Sequence, residues 1–224
     1  MKPFLKKFSA TAACAVAVLV AGCASPPDRY FTLATPAPAE SRVVPANAGA
    51  APAIATPMFI ELAPVAMAER LARPQMLVRK AQASGGASAE VELLEQHRWA
   101  SSFENEMRDA LASGIAVRLG AVDLTKGGRQ PAQPAWRIAV QLQNFDAVEN
   151  SRVDAAFSWT VRRSDGERST TCQWTGSEPV GSGIDALAQG AQRVTAKAAD
   201  AIARHVGNLT RASAPVTAAV ASCG

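Results

Sequence analysis

Cysteine and histidine, the side chains that most readily indicate covalent, acid–base or metal chemistry, are few in this sequence. They are four cysteines and two histidines: Cys14, Cys23, Cys172, Cys223, His97 and His205. Neither histidine has a neighbouring Cys, Asp or Glu at a spacing typical of a metal site. The sequence also contains no Gly-x-Ser-x-Gly elbow and no phosphate-binding P-loop. It therefore predicts no catalytic residue, no metal site and no cofactor, and we interpret the chain as a protein without enzymatic activity.

Residues 1–22 are typical of an export signal that is removed from the mature chain. Three lysines open the segment, an apolar run follows over residues 10–20, and small residues precede Cys23. The run is too short to cross a bilayer core, which takes about 20 apolar residues. A signal peptide is therefore favoured over an anchor helix.

The segment Val20-Ala21-Gly22-Cys23 resembles the lipobox of bacterial lipoproteins. The resemblance implies that Cys23 takes a diacylglyceryl thioether, becomes the new N-terminus and is acylated again. Two or three acyl chains hold a protein on a membrane, whereas one chain binds only reversibly. Because no Asp follows Cys23, we expect the periplasmic face of the outer membrane. An ordinary secretory signal that is cleaved elsewhere is the alternative.

Charge gives no reason to expect a nucleic-acid partner. Removal of residues 1–22 leaves 20 basic and 19 acidic residues, so the formal charge falls from +4 to +1. Nucleic-acid binding needs a basic patch or stripe, which a nearly neutral chain does not suggest. The mature chain of about 200 residues fits one domain.

Cys172 and Cys223 are an even pair in a compartment that is oxidising, and they predict a disulfide bond. Closing a loop of this length would contribute at most about 4 kcal/mol. Two free thiols or an intermolecular bridge are the alternatives.

Periodicity and composition divide the mature chain into a tether at 23–29, one domain at 30–209 and a flexible C-terminal tail at 210–224. Within the domain, 13 of the 23 residues at 34–56 are Ala or Pro, which predicts a loop. Apolar or alternating runs predict strands at 30–33, 58–62, 75–80, 90–94, 136–143, 153–162 and 169–176. A helical turn is predicted at 67–71, and helices at 99–120 and 183–209.

These elements predict an α+β fold, a two-layer sandwich of a mostly antiparallel sheet with two long helices packed on one face. The first helix has an apolar stripe that begins at Trp99 and ends at Val117, with Ser101 or Ser102 as its cap. Gly190 is expected to weaken the second helix by about 1 kcal/mol relative to Ala.

Two clusters are interpreted as structural. Glu90 and Glu92 alternate with Val91 and Leu93, which is typical of a solvated strand face, and Glu95, Glu104 and Glu106 lie close in sequence. Trp136, Trp159 and Trp174 fall on the inner faces of predicted strands, where packing is favoured over a ligand pocket.

Arg73-Pro74-Gln75 is a candidate partner-binding site. It lies in a loop that enters a predicted strand, and loop residues carry function more often than core residues do. A proline at the start of a strand beside a solvated arginine is the alternative interpretation.

The order of several motifs resembles the ABC-type transport auxiliary lipoproteins, the PqiC-like family that is encoded with MCE-domain lipid transporters. The most specific pieces follow the lipobox in this order: Tyr30-Phe31-Thr32-Leu33, Arg73-Pro74-Gln75, Gln96-His97-Arg98-Trp99-Ala100 and Ser158-Trp159. The resemblance covers most of residues 23–209.

This resemblance implies a non-enzymatic subunit that docks an MCE-domain periplasmic protein to the outer membrane, with several copies around the transporter. An assembly or chaperone lipoprotein, a direct lipid carrier and an undetected periplasmic hydrolase are the other possibilities. The seven steps from Cys23 to Tyr30 span at most about 25 Å. If residues 30–33 join the sheet, as we expect, the domain lies close to the membrane.

Overall fold

The computed structural model describes residues 26–35, 57–82, 87–127, 133–211 and 221–222. Within these ranges it has two long helices, one 3-10 turn and nine strands in a single sheet. The strands are β1 (Arg29–Phe31), β2 (Phe59–Leu62), β3 (Gln75–Ala81), β4 (Ala87–Trp99), β5 (Val122–Asp123), β6 (Trp136–Val148), β7 (Arg152–Arg163), β8 (Ser169–Pro179) and β9 (Ala221–Ser222). The helices are α1 (Phe103–Leu119) and α2 (Ile184–Arg211), and the 3-10 turn is Glu69–Leu71. The predicted signal peptide and most of the Ala/Pro loop lie outside the described residues.

The sheet has the strand order β1-β4-β3-β6-β7-β8-β9, with β2 beside β6 and β5 beside β2. Its long pairings, β3–β4, β6–β7 and β7–β8, are antiparallel, whereas β1 lies parallel to β4. Both helices pack on one face of this sheet, so the predicted α+β sandwich is confirmed.

The core forms where alternate residues of the central strands meet the helices. Val153, Ala155, Phe157, Trp159 and Val161 all face inward from β7 and are at most 3% exposed. Burial of one large apolar side chain stabilises the fold by about 1.5–3 kcal/mol. The opposite side of the sheet, called here the helix-free face, carries the intervening polar residues of β7.

Helix α1 begins later than the sequence predicts. Trp99 is the last residue of β4, and Ser102 caps the helix by accepting a hydrogen bond from the Asn105 N–H at 3.4 Å. Gly120 ends the helix with a left-handed φ of 58°. The placement of Val117 on the buried stripe is wrong, because that side chain is 58% exposed.

Strand β4 is also longer than predicted, with 13 residues in place of the five at 90–94. The hairpin with β3 is present, and its register pairs Leu77 with Leu93 and Arg79 with Val91. The extra length comes from pairing with β3 and β1, because polar residues such as Gln96 and Arg98 do not by themselves indicate a strand.

The C-terminal tail differs from the prediction at two residues. Ala221 and Ser222 form β9, which pairs in parallel with Cys172 and Gln173 of β8. A two-residue strand has no periodicity that the sequence could reveal. Residues 212–220 lie outside the described residues.

Small residues let α2 approach its neighbours closely. A Cβ atom on Gly114 of α1 would lie 3.0 Å from the Cβ of Ala199, and one on Gly190 would overlap Val180 Cγ1 and lie 3.2 Å from Val153 Cγ2. Gly190 is therefore required by packing, although helix propensity alone favours alanine at this position.

This contact generates a prediction with a control in the same helix. We expect Gly190→Ala to lower the free energy of unfolding by about 1–3 kcal/mol, because overpacking a filled core displaces its neighbours. Gly207→Ala should instead raise it by up to about 1 kcal/mol, since a Cβ there would meet no atom nearer than 3.5 Å. Urea denaturation of the two variants measures both effects, and a stabilised Gly190→Ala variant would contradict this account of the packing.

Candidate partner-docking site

Three segments that are far apart in the sequence meet at one end of the β3–β4 hairpin. Phe31 of β1 pairs with Trp99 of β4, and the Phe31 carbonyl accepts a hydrogen bond from the Ala100 N–H at 2.7 Å. The Trp99 N–H donates to the Pro74 carbonyl at 2.6 Å. The Tyr-Phe-Thr-Leu, Arg-Pro-Gln and His-Arg-Trp-Ala motifs of the sequence therefore form one structural unit.

The chain after β1 is held by one carboxylate of α1. Glu106 Oε2 accepts hydrogen bonds from the Thr32 hydroxyl at 2.8 Å and from the Leu33 N–H at 2.9 Å. The Ser101 hydroxyl donates to Glu106 Oε1 at 3.2 Å, and Leu33 itself is only 1% exposed. We call these four residues the N-terminal clasp.

Two contacts with α2 hold the same segment from the other side. The Gln192 side-chain amide donates to the Thr32 carbonyl at 2.8 Å, and an Arg29 guanidinium nitrogen lies 2.8 Å from an oxygen of Asp185. The Arg29 pair is about half exposed on both sides, and exposed ion pairs contribute little stability. Tyr30 and Phe31 join the sheet as expected, whereas Thr32 and Leu33 follow the strand and are held by the N-terminal clasp.

The predicted partner-binding residues lie at the surface of this unit. Arg73 and Pro74 are exposed, and within the described part of the chain the Arg73 guanidinium makes no hydrogen bond or ion pair. Gln75 is half-buried and pairs with Arg98 of β4. The loop thus offers a free cationic side chain on a backbone that the Pro74–Trp99 hydrogen bond fixes.

The cavity beneath the loop is apolar and small. Its lining includes Leu71, Gln75, Trp99, Phe103 and Phe145, and its volume is about 10 Å³. That is about the room of one water molecule, so the cavity is too small for a lipid acyl chain.

The two histidines have structural surroundings. His97 stacks on Phe31 with a centroid distance of 6.2 Å. His205 accepts a hydrogen bond at Nδ1 from the Trp159 indole N–H at 2.9 Å, which leaves Nε2 to donate to the Thr170 hydroxyl at 3.1 Å. Burial lowers the pKa of His205 from its usual value of 6.5.

The other candidate groups are spread over the molecule. Across the described ranges, no three His, Cys, Asp or Glu side chains come together in a way that could hold a metal ion. Glu90 and Glu92 are exposed on β4, and Glu92 forms an ion pair with Lys80 at 3.1 Å. Cys23 lies outside the described residues.

Cys172 is buried and disulfide-bonded. The remaining cysteines of the sequence all lie outside the described residues, so its pairing with Cys223 stays a prediction. The position of β9 supports that pairing, because Ser222 lies beside Gln173, the neighbour of Cys172.

The sequence did not reveal the role of Glu106. In the sequence Glu106 is one of five clustered acidic residues, and an acidic residue in the first turn is common to many helices. Its hydrogen bonds with Thr32 and Leu33 cross more than 70 positions of the chain, and no local pattern records such a contact.

Comparison with known families identifies the class of the chain. The family model for the ABC-type transport auxiliary lipoprotein component matches residues 31–203. The chain belongs to this family. The family resemblance that the ordered motifs suggest is thereby confirmed.

Two solved structures share the fold. An uncharacterized protein has a TM-score of 0.56 at 13% identity, over 66% of this chain and 92% of that chain. Protein XCC0632 from Xanthomonas campestris, of the family DUF330, has a TM-score of 0.52 at 11% identity, over 69% of this chain and 87% of that chain. No curated protein matches the chain. Of the two helices that the structure describes, neither is long and apolar enough to span a membrane.

The N-terminal clasp generates a proteolysis prediction. We expect Glu106→Ala to cost about 1.5–3 kcal/mol, because it removes the charged acceptor of the part-buried Leu33 N–H and of the Thr32 hydroxyl. After trypsin cuts at Arg42 in the Ala/Pro loop, the N-terminal fragment should stay bound to the wild-type domain and dissociate from this variant. Size-exclusion chromatography after cleavage measures how much of the N-terminal fragment elutes together with the domain.

Glu104→Ala is the matched control for that experiment, because Glu104 lies in the same helical turn and no contact with β1 is found for it. Loss of the fragment from the wild-type domain, or from the Glu104→Ala control, would contradict the proposed role of the clasp.

His205 generates a prediction about pH. Because its folded pKa lies below the unfolded value of 6.5, the unfolded chain binds a proton more readily. The stability from neutral His205 is therefore complete above about pH 6.5 and is lost as the pH falls through the folded pKa. We expect the melting temperature to fall on acidification from pH 7.5 to pH 5, and the fall should be smaller in His205→Gln, whose side chain does not titrate. If the melting temperature falls equally with pH in the wild type and in His205→Gln, the assignment of this pH dependence to His205 is contradicted.

Proposed function

We propose that this protein is a non-enzymatic accessory lipoprotein of an intermembrane lipid transporter. In this proposal the acylated Cys23 holds it on the periplasmic face of the outer membrane, and the folded domain docks the periplasmic MCE-domain component of an ABC-type system. Several copies would surround the end of that component. The family assignment supports the class, since it describes an auxiliary lipoprotein of ABC-type transport.

The observation that carries the proposal is the incorporation of β1 into the sheet. Only six steps separate Cys23 from Arg29, the first residue of β1, and six extended residues span at most about 20 Å. A domain on so short a tether stays close to the membrane surface. Such a position suits a protein that fixes the end of a transporter at a membrane.

The Arg73 loop is the proposed contact with the transporter. It is exposed, its guanidinium is free within the described residues, and the N-terminal clasp and the Pro74–Trp99 hydrogen bond make its base rigid. A preorganised loop loses little conformational entropy on binding. The loop lies at the start of β3, whereas β1 runs parallel to β4, so a tether that continues β1 runs toward the other end of the hairpin.

The surroundings of the histidines support the absence of catalysis. His205 holds the Trp159 indole in the core and His97 stacks on Phe31, so both rings have structural partners. The small cavity under the Arg73 loop disfavours the alternative of a direct lipid carrier at this site.

An affinity experiment tests the docking role. We expect Arg73→Ala to weaken binding to the MCE-domain partner about tenfold, which corresponds to about 1.4 kcal/mol, without a change in melting temperature. Arg204→Ala is the control, because Arg204 is an exposed arginine on α2 that forms no ion pair with another described residue. Binding is measured by co-purification and titration with a purified MCE-domain periplasmic protein of an ABC-type transporter.

Cys23→Ser supplies the second arm of the test. This variant should leave the outer-membrane fraction and become soluble, while its domain still binds the partner. Wild-type affinity in Arg73→Ala would overturn the loop assignment, and wild-type protein found soluble without detergent would overturn the anchor.

A further inference from the structure

The outer half of the β3–β4 hairpin extends beyond the rest of the sheet. β1 covers only His97 to Trp99 at the free edge of β4, and β3 meets β6 at the single pair Arg79–Val148. Toward the tip, residues 89–92 of β4 are all exposed. At residues 89–92 the side chains on both faces of β4 are therefore exposed.

The two faces of the hairpin differ in chemistry. Directly paired residues share a face of a sheet, and alternate residues along a strand do as well. The register places Leu77 with Leu93, and Arg79 with Val91, on the helix-free face. The buried Met76 and Val78 of the same strand point the other way, toward the helices.

Tyr30 and Arg98 continue this face at the base of the hairpin. Tyr30 pairs with Arg98, and Arg98 pairs with Gln75, which precedes Leu77 by two residues on β3. Tyr30 is 62% exposed and Val91 is 46% exposed, so two large apolar side chains stand in solvent on one side of the hairpin. We call Tyr30, Leu77, Val91, Leu93 and Arg98 the apolar hairpin face.

Glu92 lies on the other side of the hairpin. Glu92 pairs with Val78 and forms an ion pair with Lys80, which places its carboxylate on the face that points away from the apolar residues. Two arginines lie near the ends of the apolar hairpin face: Arg79 toward the tip and Arg98 at the base. The exposed Glu95 follows Leu93 by two residues on β4, near the base of this surface. The apolar and aromatic residues, with arginines near both ends, suit the headgroup layer of a membrane.

The tether is short enough for the hairpin to reach the headgroup layer of the membrane. Ten residues of β4 separate His97, the partner of Arg29, from Ala87 near the tip, which is about 33 Å of strand. The tether from Arg29 back to Cys23 spans at most about 20 Å. If the tether continues the direction of β1 along β4, the hairpin reaches at least as far as the lipid-bearing residue.

We propose that the apolar hairpin face rests on the phospholipid surface to which Cys23 is anchored, with Tyr30 and Val91 at the headgroup level and Glu92 turned toward the periplasm. This inference rests on the anchoring of Cys23 in the proposed function. The hairpin then fixes the orientation of the domain, because a flexible acyl tether alone would leave it free to rotate.

Photocrosslinking of the full-length acylated protein in phosphatidylethanolamine and phosphatidylglycerol vesicles tests this orientation. p-Benzoylphenylalanine is placed at position 91 in one variant and at position 92 in the other, and lipid adducts are counted by mass spectrometry after irradiation. The two sites are neighbours with similar exposure, 46% for Val91 and 49% for the Glu92 side chain, but they point to opposite faces. We expect at least about a fivefold excess of lipid adducts at position 91, because a strand inverts the direction of its side chains at each residue.

Intact mass separates the failure of this inference from the failure of the anchor. An acylated protein with equal or no lipid adducts at the two positions overturns the hairpin contact and leaves the anchor in place. A crosslink from position 91 to a protein, a second copy included, also overturns it. A native chain without acyl groups overturns both the anchor and the hairpin contact. Circular dichroism confirms that the two variants are folded, which their exposed positions favour.

Discussion

The attachment of β1 to the rest of the domain is the interaction on which the proposed function depends. A single carboxylate, that of Glu106, binds the Thr32 hydroxyl and the Leu33 N–H, and thereby joins the N-terminal segment to α1. Backbone pairing with β4 and two contacts with α2 hold the same segment. In the proposed function, a segment that left the sheet would add the long Ala/Pro stretch to the connection between Cys23 and the domain, whereas the attached segment leaves only a few residues between them. The attachment of β1 would thereby keep the domain close to the membrane.

The same segment also organises the candidate docking site. β1 pairs with the end of β4, and the end of β4 in turn holds the Pro74 carbonyl through the Trp99 N–H. The Arg73 loop is therefore connected to β1 through two short hydrogen-bonded steps. This connection explains physically why motifs so distant in the sequence occur together in one chain, since each supplies backbone partners for the next.

Close packing of the helices makes the two-layer arrangement possible with few aromatic residues. Alanine and glycine on α2 let the helix axis approach both α1 and the sheet, so that many small contacts replace a few large ones. Such a core tolerates little added volume, as the contact of Gly190 with Val180 indicates. The hairpin, which extends past this core, is stabilised mainly by its own pairing and has its faces available for other surfaces.

Periodicity was enough to predict the strands β6, β7 and β8, the second helix, and the two layers that follow from their apolar faces. The order of distinctive motifs was enough to predict the family. The folded structure was needed to show where β4 ends and α1 begins, that Glu106 holds β1, and that Gly190 is needed for packing. This difference arises because periodicity reports which face of an element is buried, whereas a carboxylate that binds a backbone N–H more than 70 residues away, or a missing Cβ that makes room for a neighbouring side chain, leaves no trace in the local pattern.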